Sequence, residues 1–109
     1  MSADGAALIW CAFPSREQAL EVARTLLDER LIACANILPM VESVYRYEGA
    51  ITSGAEVGVV FKTSAALLPR ATERLHSLHP YETPAIAGWN ADIAPPTTLA
   101  WLEAELDVG

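Results

Sequence analysis

The sequence predicts a small α+β domain in which two helices cover one face of an antiparallel sheet. The chain has 109 residues, of which 52% are hydrophobic, enough for one domain spanning residues 1–109 with its own core. The apolar periodicity gives the order β-α-β-β-α-β, followed by a short C-terminal helix. Two consecutive long strand patterns, separated by a tight turn, predict an extended hairpin. This order is that of the ferredoxin-like fold.

The first strand and the first helix are predicted from a change in the spacing of apolar residues near the N-terminus. A continuous apolar run covers Ala6–Phe13 and ends at a proline, which favours a buried strand. Ser15 and Gln18 then have the spacing of a capping box, with Ser15 as the N-cap. The apolar residues that follow at helical period are Ala19, Val22, Ala23, Leu26 and Leu27.

The second and third strands form the predicted hairpin. Ala33–Tyr47 and Ile51–Thr63 are rich in β-forming residues and are joined by a turn at Glu48-Gly49. Pro39 predicts a bulge or an edge, and Ser53-Gly54 predicts a kink. Because most strands have about 5–6 residues, this hairpin should overhang the core and expose backbone edges that require a partner. The geometry therefore predicts an oligomer.

The remaining elements alternate between helix and strand. Leucines at helical spacing predict a second helix whose regular part covers about Pro69–Leu78, with the proline in its first turn. His79–Pro84 cannot continue that helix and forms a rigid connection to a fourth strand at Ala85–Ile93. After a Pro-Pro break, Thr97 or Thr98 is expected to cap a short final helix.

Composition and charge limit the possible partners and the cellular compartment. The net charge is -7 and Lys62 is the single lysine, which argues against binding to nucleic acid or to an anionic membrane surface. The N-terminal stretch has no basic residue, so we expect a cytoplasmic protein. Cys11 and Cys34 fall on strands that are not neighbours, about 9–10 Å apart. They should therefore remain reduced thiols, because a disulfide needs Cα atoms within about 7 Å.

Several segments between about Ala6 and Leu106 form a distinctive set. They are Cys11 just before Pro14, Leu31–Ile37, Ser43-Val44-Tyr45, Glu48-Gly49, Glu56, Phe61-Lys62-Thr63, the HPYETP segment His79–Pro84, and Trp101-Leu102. Together these segments resemble the CutA divalent-cation tolerance family. The resemblance implies a ferredoxin-like fold, a homotrimer with an architecture similar to that of PII signalling proteins, and a link to copper and other divalent metals.

Thiolate and imidazole groups are the candidate metal ligands, since these ligands suit copper and zinc. Some members of the family carry paired histidines with a cysteine of the first strand. Here Leu78 stands in place of the first histidine, so Cys11 and His79 are the main candidates, with Cys34 and His76 as lesser ones. The alternatives are that Cys11 fills the core and that His79 caps the second helix. Folding should not require the metal.

A cleft between subunits is the second candidate site, because clefts are the usual places for ligands. The aromatic and charged groups that could line it are Tyr45, Tyr47, Glu56, Lys62, Tyr81 and Trp101; Tyr47 stands where members of the family often have tryptophan. These aromatic residues could instead seal the subunit interfaces. No catalytic motif is present, so we expect a non-enzymatic protein. It is either a copper tolerance or response protein or a small-molecule sensor or scaffold without specific metal binding.

Overall fold

The computed structural model describes residues 5–107, which form a four-stranded antiparallel sheet and three helices. The strands follow the order β2-β3-β1-β4 across the sheet, so the first strand lies between the third and the fourth. This arrangement confirms the predicted ferredoxin-like α+β fold. The elements are β1 (Ala6–Phe13), α1 (Arg16–Asp28), β2 (Cys34–Tyr47), β3 (Ala50–Ser64), α2 (Leu68–Leu78), β4 (Ala87–Asn90) and α3 (Pro96–Glu105).

The core lies between the sheet and the helices. Alternate residues of β1 are buried, and Cys11 and Phe13 point towards the helices together with their partners Val59 and Val57 on β3. The helix α1 begins as predicted, since the Ser15 side chain accepts a hydrogen bond from the Gln18 amide. The capping serine satisfies a backbone amide that the first turn would otherwise leave without a partner.

In the part of the chain that the structure describes, no helix covers the opposite face of the sheet, and this face is largely apolar. Trp10 of β1 lies over Gly58 of β3, where an added Cβ would clash with the indole ring and would approach Val41 Cγ2 at 2.9 Å. By register, Leu38 of β2 and Trp89 of β4 share this face, and they are 42% and 48% exposed. One subunit therefore leaves part of an apolar sheet face uncovered.

The hairpin formed by β2 and β3 extends well beyond the core. Pairing between these strands continues to Tyr47 and Ala50, whereas β1 pairs with β3 only as far as Val57. The predicted bulge at Pro39 is confirmed by a register shift between Leu38 and Val41. The hairpin gives the molecule dimensions of 47 × 26 × 22 Å. The radius of gyration is 14.5 Å, larger than the roughly 13 Å typical of a compact domain of this length.

Three local predictions are wrong. The expected kink at Ser53-Gly54 is absent from the described hairpin, because both residues keep antiparallel partners without a register shift. The fourth strand is confined to Ala87–Asn90, since it pairs only with residues 7–10 of β1. The N-cap position of the final helix is Pro95, not Thr97 or Thr98, and no side chain within residues 5–107 caps the helix. The first helical residue is Pro96, and a proline at that position has no amide that needs a capping side chain.

Candidate functional site at the end of the first strand

The site is formed where the segment that follows α2 contacts the end of β1. Phe13 is the last residue of β1 and pairs with Val57, so Glu56 is the first residue of β3 beyond this strand. The segment after α2 brings His79 and Tyr81 to the same place. The rigid connection predicted from the prolines therefore delivers polar side chains to the junction between the core and the hairpin.

His79 uses both ring nitrogens in hydrogen bonds to the backbone. Its Nε2 lies 2.8 Å from the carbonyl oxygen of Ala12, and its Nδ1 lies 3.1 Å from the amide nitrogen of Tyr81. The amide can only donate and the carbonyl can only accept, so the proton is on Nε2 and Nδ1 is the acceptor. The ring is 7% exposed, and burial lowers the pKa of His79. Because its Nδ1 accepts the Tyr81 amide, the imidazole is neutral.

Two aromatic rings fix the plane of the imidazole. The Phe13 ring stacks on it with a centroid distance of 4.4 Å and an interplanar angle of 25°, and the Tyr81 ring lies 4.8 Å away. His79 also ends α2 through its backbone amide, which donates to the carbonyl of Leu75. The histidine therefore does end the helix, but its side chain contacts β1 instead of the carbonyls of α2.

Tyr81 and Glu56 form the shortest hydrogen bond of the site. The Tyr81 hydroxyl donates to Oε2 of Glu56 at 2.6 Å, a distance typical of a bond to a charged carboxylate. Burial of the phenol, and then the bond to Glu56, raise the pKa of Tyr81, and the nearby Tyr45 acts in the same direction. The hydroxyl therefore stays protonated and remains a donor to the carboxylate.

Cys11 lies in the core next to this site. Its side chain is fully buried, and its Sγ donates weakly to the carbonyl of Ala12 at 3.6 Å. Burial and the negative charge of Glu56 raise the pKa of the Cys11 thiol to about 12. The thiolate is the form that attacks electrophiles and binds metals, so Cys11 is held in its unreactive form.

Only two of the four predicted metal ligands come near each other. Cys11 and His79 both hydrogen bond to the carbonyl of Ala12, and His76 lies on the exposed side of α2. Cys34 pairs with Lys62 on the helix-free face, opposite Cys11, and its Sγ contacts Oδ1 of Asn36 at 3.6 Å. Both cysteines are free thiols. Within residues 5–107, no three His, Cys, Asp or Glu side chains could hold a metal ion together.

The predicted cleft residues fall into two groups. Tyr45 and Tyr47 share a face of the hairpin with Glu56 by register, and Tyr81 contacts Glu56. Lys62 is six residues farther along β3, about 20 Å away. Trp101 is on α3 and is 39% exposed. Tyr47 pairs with Ala50, which is also six residues from Glu56, so one subunit assembles Tyr45, Tyr81 and Glu56. It does not bring Tyr47, Lys62 or Trp101 to this place.

Two groups at this site were not predicted from the sequence. Phe13 was predicted only as a strand residue, although its ring supports the imidazole. The carbonyl of Ala12 is the acceptor for His79, and no side-chain pattern signals a backbone acceptor. The alternation of buried residues in β1 shows that Phe13 faces the helices, but it does not show that His79 stacks on the Phe13 ring.

The sheet order and its single helix layer define the class of the protein as ferredoxin-like α+β. The family described as CutA1 divalent ion tolerance protein matches residues 7–105. The chain belongs to this family. This result confirms the family resemblance inferred from the sequence, including the HPYETP segment that carries His79 and Tyr81.

Individual relatives agree with this assignment. The divalent-cation tolerance protein CutA of Pyrococcus horikoshii is 41% identical over 98 residues, which cover 90% of this chain and 95% of that protein. The mouse protein CutA is 35% identical over 97 residues, 89% of this chain, and the match spans only 54% of the mouse protein. The chain thus spans about half the length of that relative.

Solved structures show the same fold. CutA from Xylella fastidiosa superimposes with a TM-score of 0.90 at 34% identity, covering 95% of this chain and all of that one. CutA1 from Pyrococcus horikoshii gives a TM-score of 0.88 at 39% identity, covering 93% and 98% of the two chains. In residues 5–107, no helix is long and apolar enough to cross a membrane.

Proposed function

We propose that this chain acts in divalent-cation tolerance as a homotrimer whose ligand sites lie in the clefts between subunits. The observation that carries the proposal is the hairpin beyond the core. On one of its faces Val44 and Ile51 are 68% and 72% exposed, and on the other Tyr47 is 62% exposed. A long hairpin with apolar side chains on both faces and an unpaired outer edge is a surface for association.

The helix-free face of the sheet supports self-association as well. Trp10, Leu38 and Trp89 lie on this face, opposite the helix-covered core. Aromatic and aliphatic side chains of this kind are enriched where subunits meet. Packing this face and the hairpin against other copies would bury the apolar surface that one subunit leaves uncovered, and clefts would form beside Tyr45, Glu56 and Tyr81.

The chemistry of the site favours binding over catalysis. A Cys-His nucleophilic pair needs a thiolate and a histidine with a nitrogen free to take its proton. Here burial keeps the pKa of Cys11 high, and both nitrogens of His79 are in hydrogen bonds. We propose a non-enzymatic protein that works in the cytoplasm, where reducing conditions would keep Cys11 and Cys34 as thiols.

A copper site at Cys11 and His79 is the second candidate function. The observation that favours it is that both side chains hydrogen bond to the same carbonyl oxygen, that of Ala12, with Sγ at 3.6 Å and Nε2 at 2.8 Å from it. Calorimetric titration separates the two candidates. The reduced, metal-free protein would be titrated with Cu(II), and with Cu(I) under anaerobic conditions.

The variants Cys11→Ser, His79→Ala and Glu56→Gln would be titrated in the same way. For sites in the clefts, we expect any saturable binding to persist in Cys11→Ser and to weaken in Glu56→Gln, since carboxylate oxygens can ligate divalent cations. Binding of one copper per subunit that is lost in Cys11→Ser and in His79→Ala would replace the cleft proposal with the copper site.

A further inference from the structure

The structure assigns His79 a positioning role: as a neutral imidazole protonated at Nε2, it holds Tyr81 against Glu56 and has no ring nitrogen free for a metal. This inference rests on the proposed function, because it names the residue that sets the geometry of the cleft. It also departs from the metal-ligand role that the family resemblance implies for His79.

The hydrogen-bonding capacity of the His79 ring is filled. A neutral imidazole has one N–H donor and one lone pair for accepting a bond. The donor at Nε2 points to the carbonyl of Ala12 at 2.8 Å, and the lone pair at Nδ1 receives the amide of Tyr81 at 3.1 Å. A metal at Nδ1 would displace the Tyr81 amide, and a metal at Nε2 would displace the proton that Nε2 donates to the carbonyl of Ala12.

These two bonds connect a loop to the central sheet. Ala12 lies in β1, and Tyr81 lies in the loop after α2, so the ring joins the loop to the strand. The bond from the Tyr81 amide fixes the backbone of Tyr81, and the ring contact at 4.8 Å limits where its side chain can go. The phenol hydroxyl then reaches Glu56 at 2.6 Å.

The neighbouring thiol does not complete a metal site. Its Sγ lies 3.6 Å from the carbonyl oxygen of Ala12, the same oxygen that the Nε2 of His79 reaches at 2.8 Å. Protein metal sites usually take three or four protein ligands. Within residues 5–107, no three His, Cys, Asp or Glu side chains could hold a metal ion together. The donor set of Cys11 and His79 therefore does not fit a metal in this arrangement.

Nuclear magnetic resonance of ¹⁵N-labelled histidine tests the protonation state directly. The sequence has two histidines, and the exposed His76 serves as an internal reference. At neutral pH, we expect His79 to show a protonated Nε2 and an unprotonated Nδ1. This pattern should persist with excess Zn(II), or with Cu(I) under anaerobic conditions. Shifts of the His79 nitrogens that saturate with added metal would overturn the inference.

Variants of His79 test the positioning of Tyr81. Alkaline titration of the tyrosines by ultraviolet absorbance would be compared with that of Tyr81→Phe, which identifies the Tyr81 component by difference. In His79→Ala we expect this component to shift to lower pH. His79→Asn should partly restore it, because the Asn oxygen lies near the place of Nδ1 and can accept the Tyr81 amide.

An unchanged Tyr81 component in folded His79→Ala would show that the ring does not position Tyr81 and would overturn the inference. If His79→Ala does not fold, the labelled wild-type protein still decides the question. The subunit count, measured separately by light scattering, tests the proposed trimer. Failure of the positioning role and failure of the trimer are therefore distinguishable.

Discussion

The bond between Tyr81 and Glu56 gives the most specific test of the site. Removing the phenol hydroxyl in Tyr81→Phe deletes a 2.6 Å hydrogen bond to a carboxylate while keeping the ring that packs on His79. Hydrogen bonds to charged groups contribute about 1.5–3 kcal/mol when buried. Tyr81 is 38% exposed, so water can replace part of the bond, and we expect a coupling energy of about 1 kcal/mol.

A double-mutant cycle isolates this energy. The free energy of unfolding would be measured by urea denaturation for the wild type, Tyr81→Phe, Glu56→Ala and the double variant. All samples would have one protein concentration, since self-association makes the midpoint depend on concentration. As a control, Tyr47→Phe would be combined with Glu56→Ala, because Tyr47 lies at the far end of the hairpin and is 62% exposed.

The double-mutant cycle can contradict the proposed bond between Tyr81 and Glu56. Contacts that Glu56 makes elsewhere affect the single variant but cancel in the coupling energy. A coupling energy below about 0.3 kcal/mol, which is the scatter of additive mutations, would show that Tyr81 does not hold Glu56. The control cycle should give a coupling within this scatter.

Three further predictions concern other parts of the fold. Ser15→Ala removes the cap of α1 and should lower the free energy of unfolding by about 1 kcal/mol, whereas Ser15→Asp should retain most of it, as urea denaturation would show. Thr63→Val deletes the buried hydrogen bond from the Thr63 hydroxyl to the carbonyl of Leu31 at 2.7 Å and should lower the free energy of unfolding by about 1–3 kcal/mol. A Thr63→Ser variant that is equally destabilised would contradict the role of the hydroxyl. The pKa of Cys11, raised from 9.0 to about 12, means that the unfolded chain loses this proton first as the pH rises. The stability of the wild type relative to Cys11→Ala should therefore fall above about pH 9, by at most about 1.4 kcal/mol per pH unit, and a pH-independent difference would be inconsistent with the buried thiol.

Features set by local sequence were predicted well. The capping spacing of Ser15 and Gln18, the proline that bulges β2 and the turn at Glu48-Gly49 depend on residues close together in the chain. Glu48 and Gly49 both adopt positive φ, 51° and 83°, as a two-residue hairpin turn of type I′ requires. Local chemistry was therefore sufficient to place the start of α1 and the hairpin.

Features that depend on tertiary packing were predicted less well. β4 pairs only with residues 7–10 of β1, and the carbonyl of Ala12 beyond them bonds to the His79 ring instead, which the residues of β4 do not encode. The pairing of Tyr81 with Glu56 joins residues 25 positions apart, and the bond from His79 to Ala12 spans 67 positions. The candidate residues could be named from the sequence, but their partners depend on the approach of the α2 loop to the end of β1.

The number of subunits in solution tests the central claim most directly. Light scattering coupled to size exclusion, at micromolar concentration, should give a mass three times the 11.7 kDa of the chain. Ile51→Lys, which places a charge on the exposed hairpin, should weaken this assembly, whereas Leu27→Lys on α1 should not. A wild-type mass of one subunit would contradict the account, because the clefts that it assigns to the ligand would not exist.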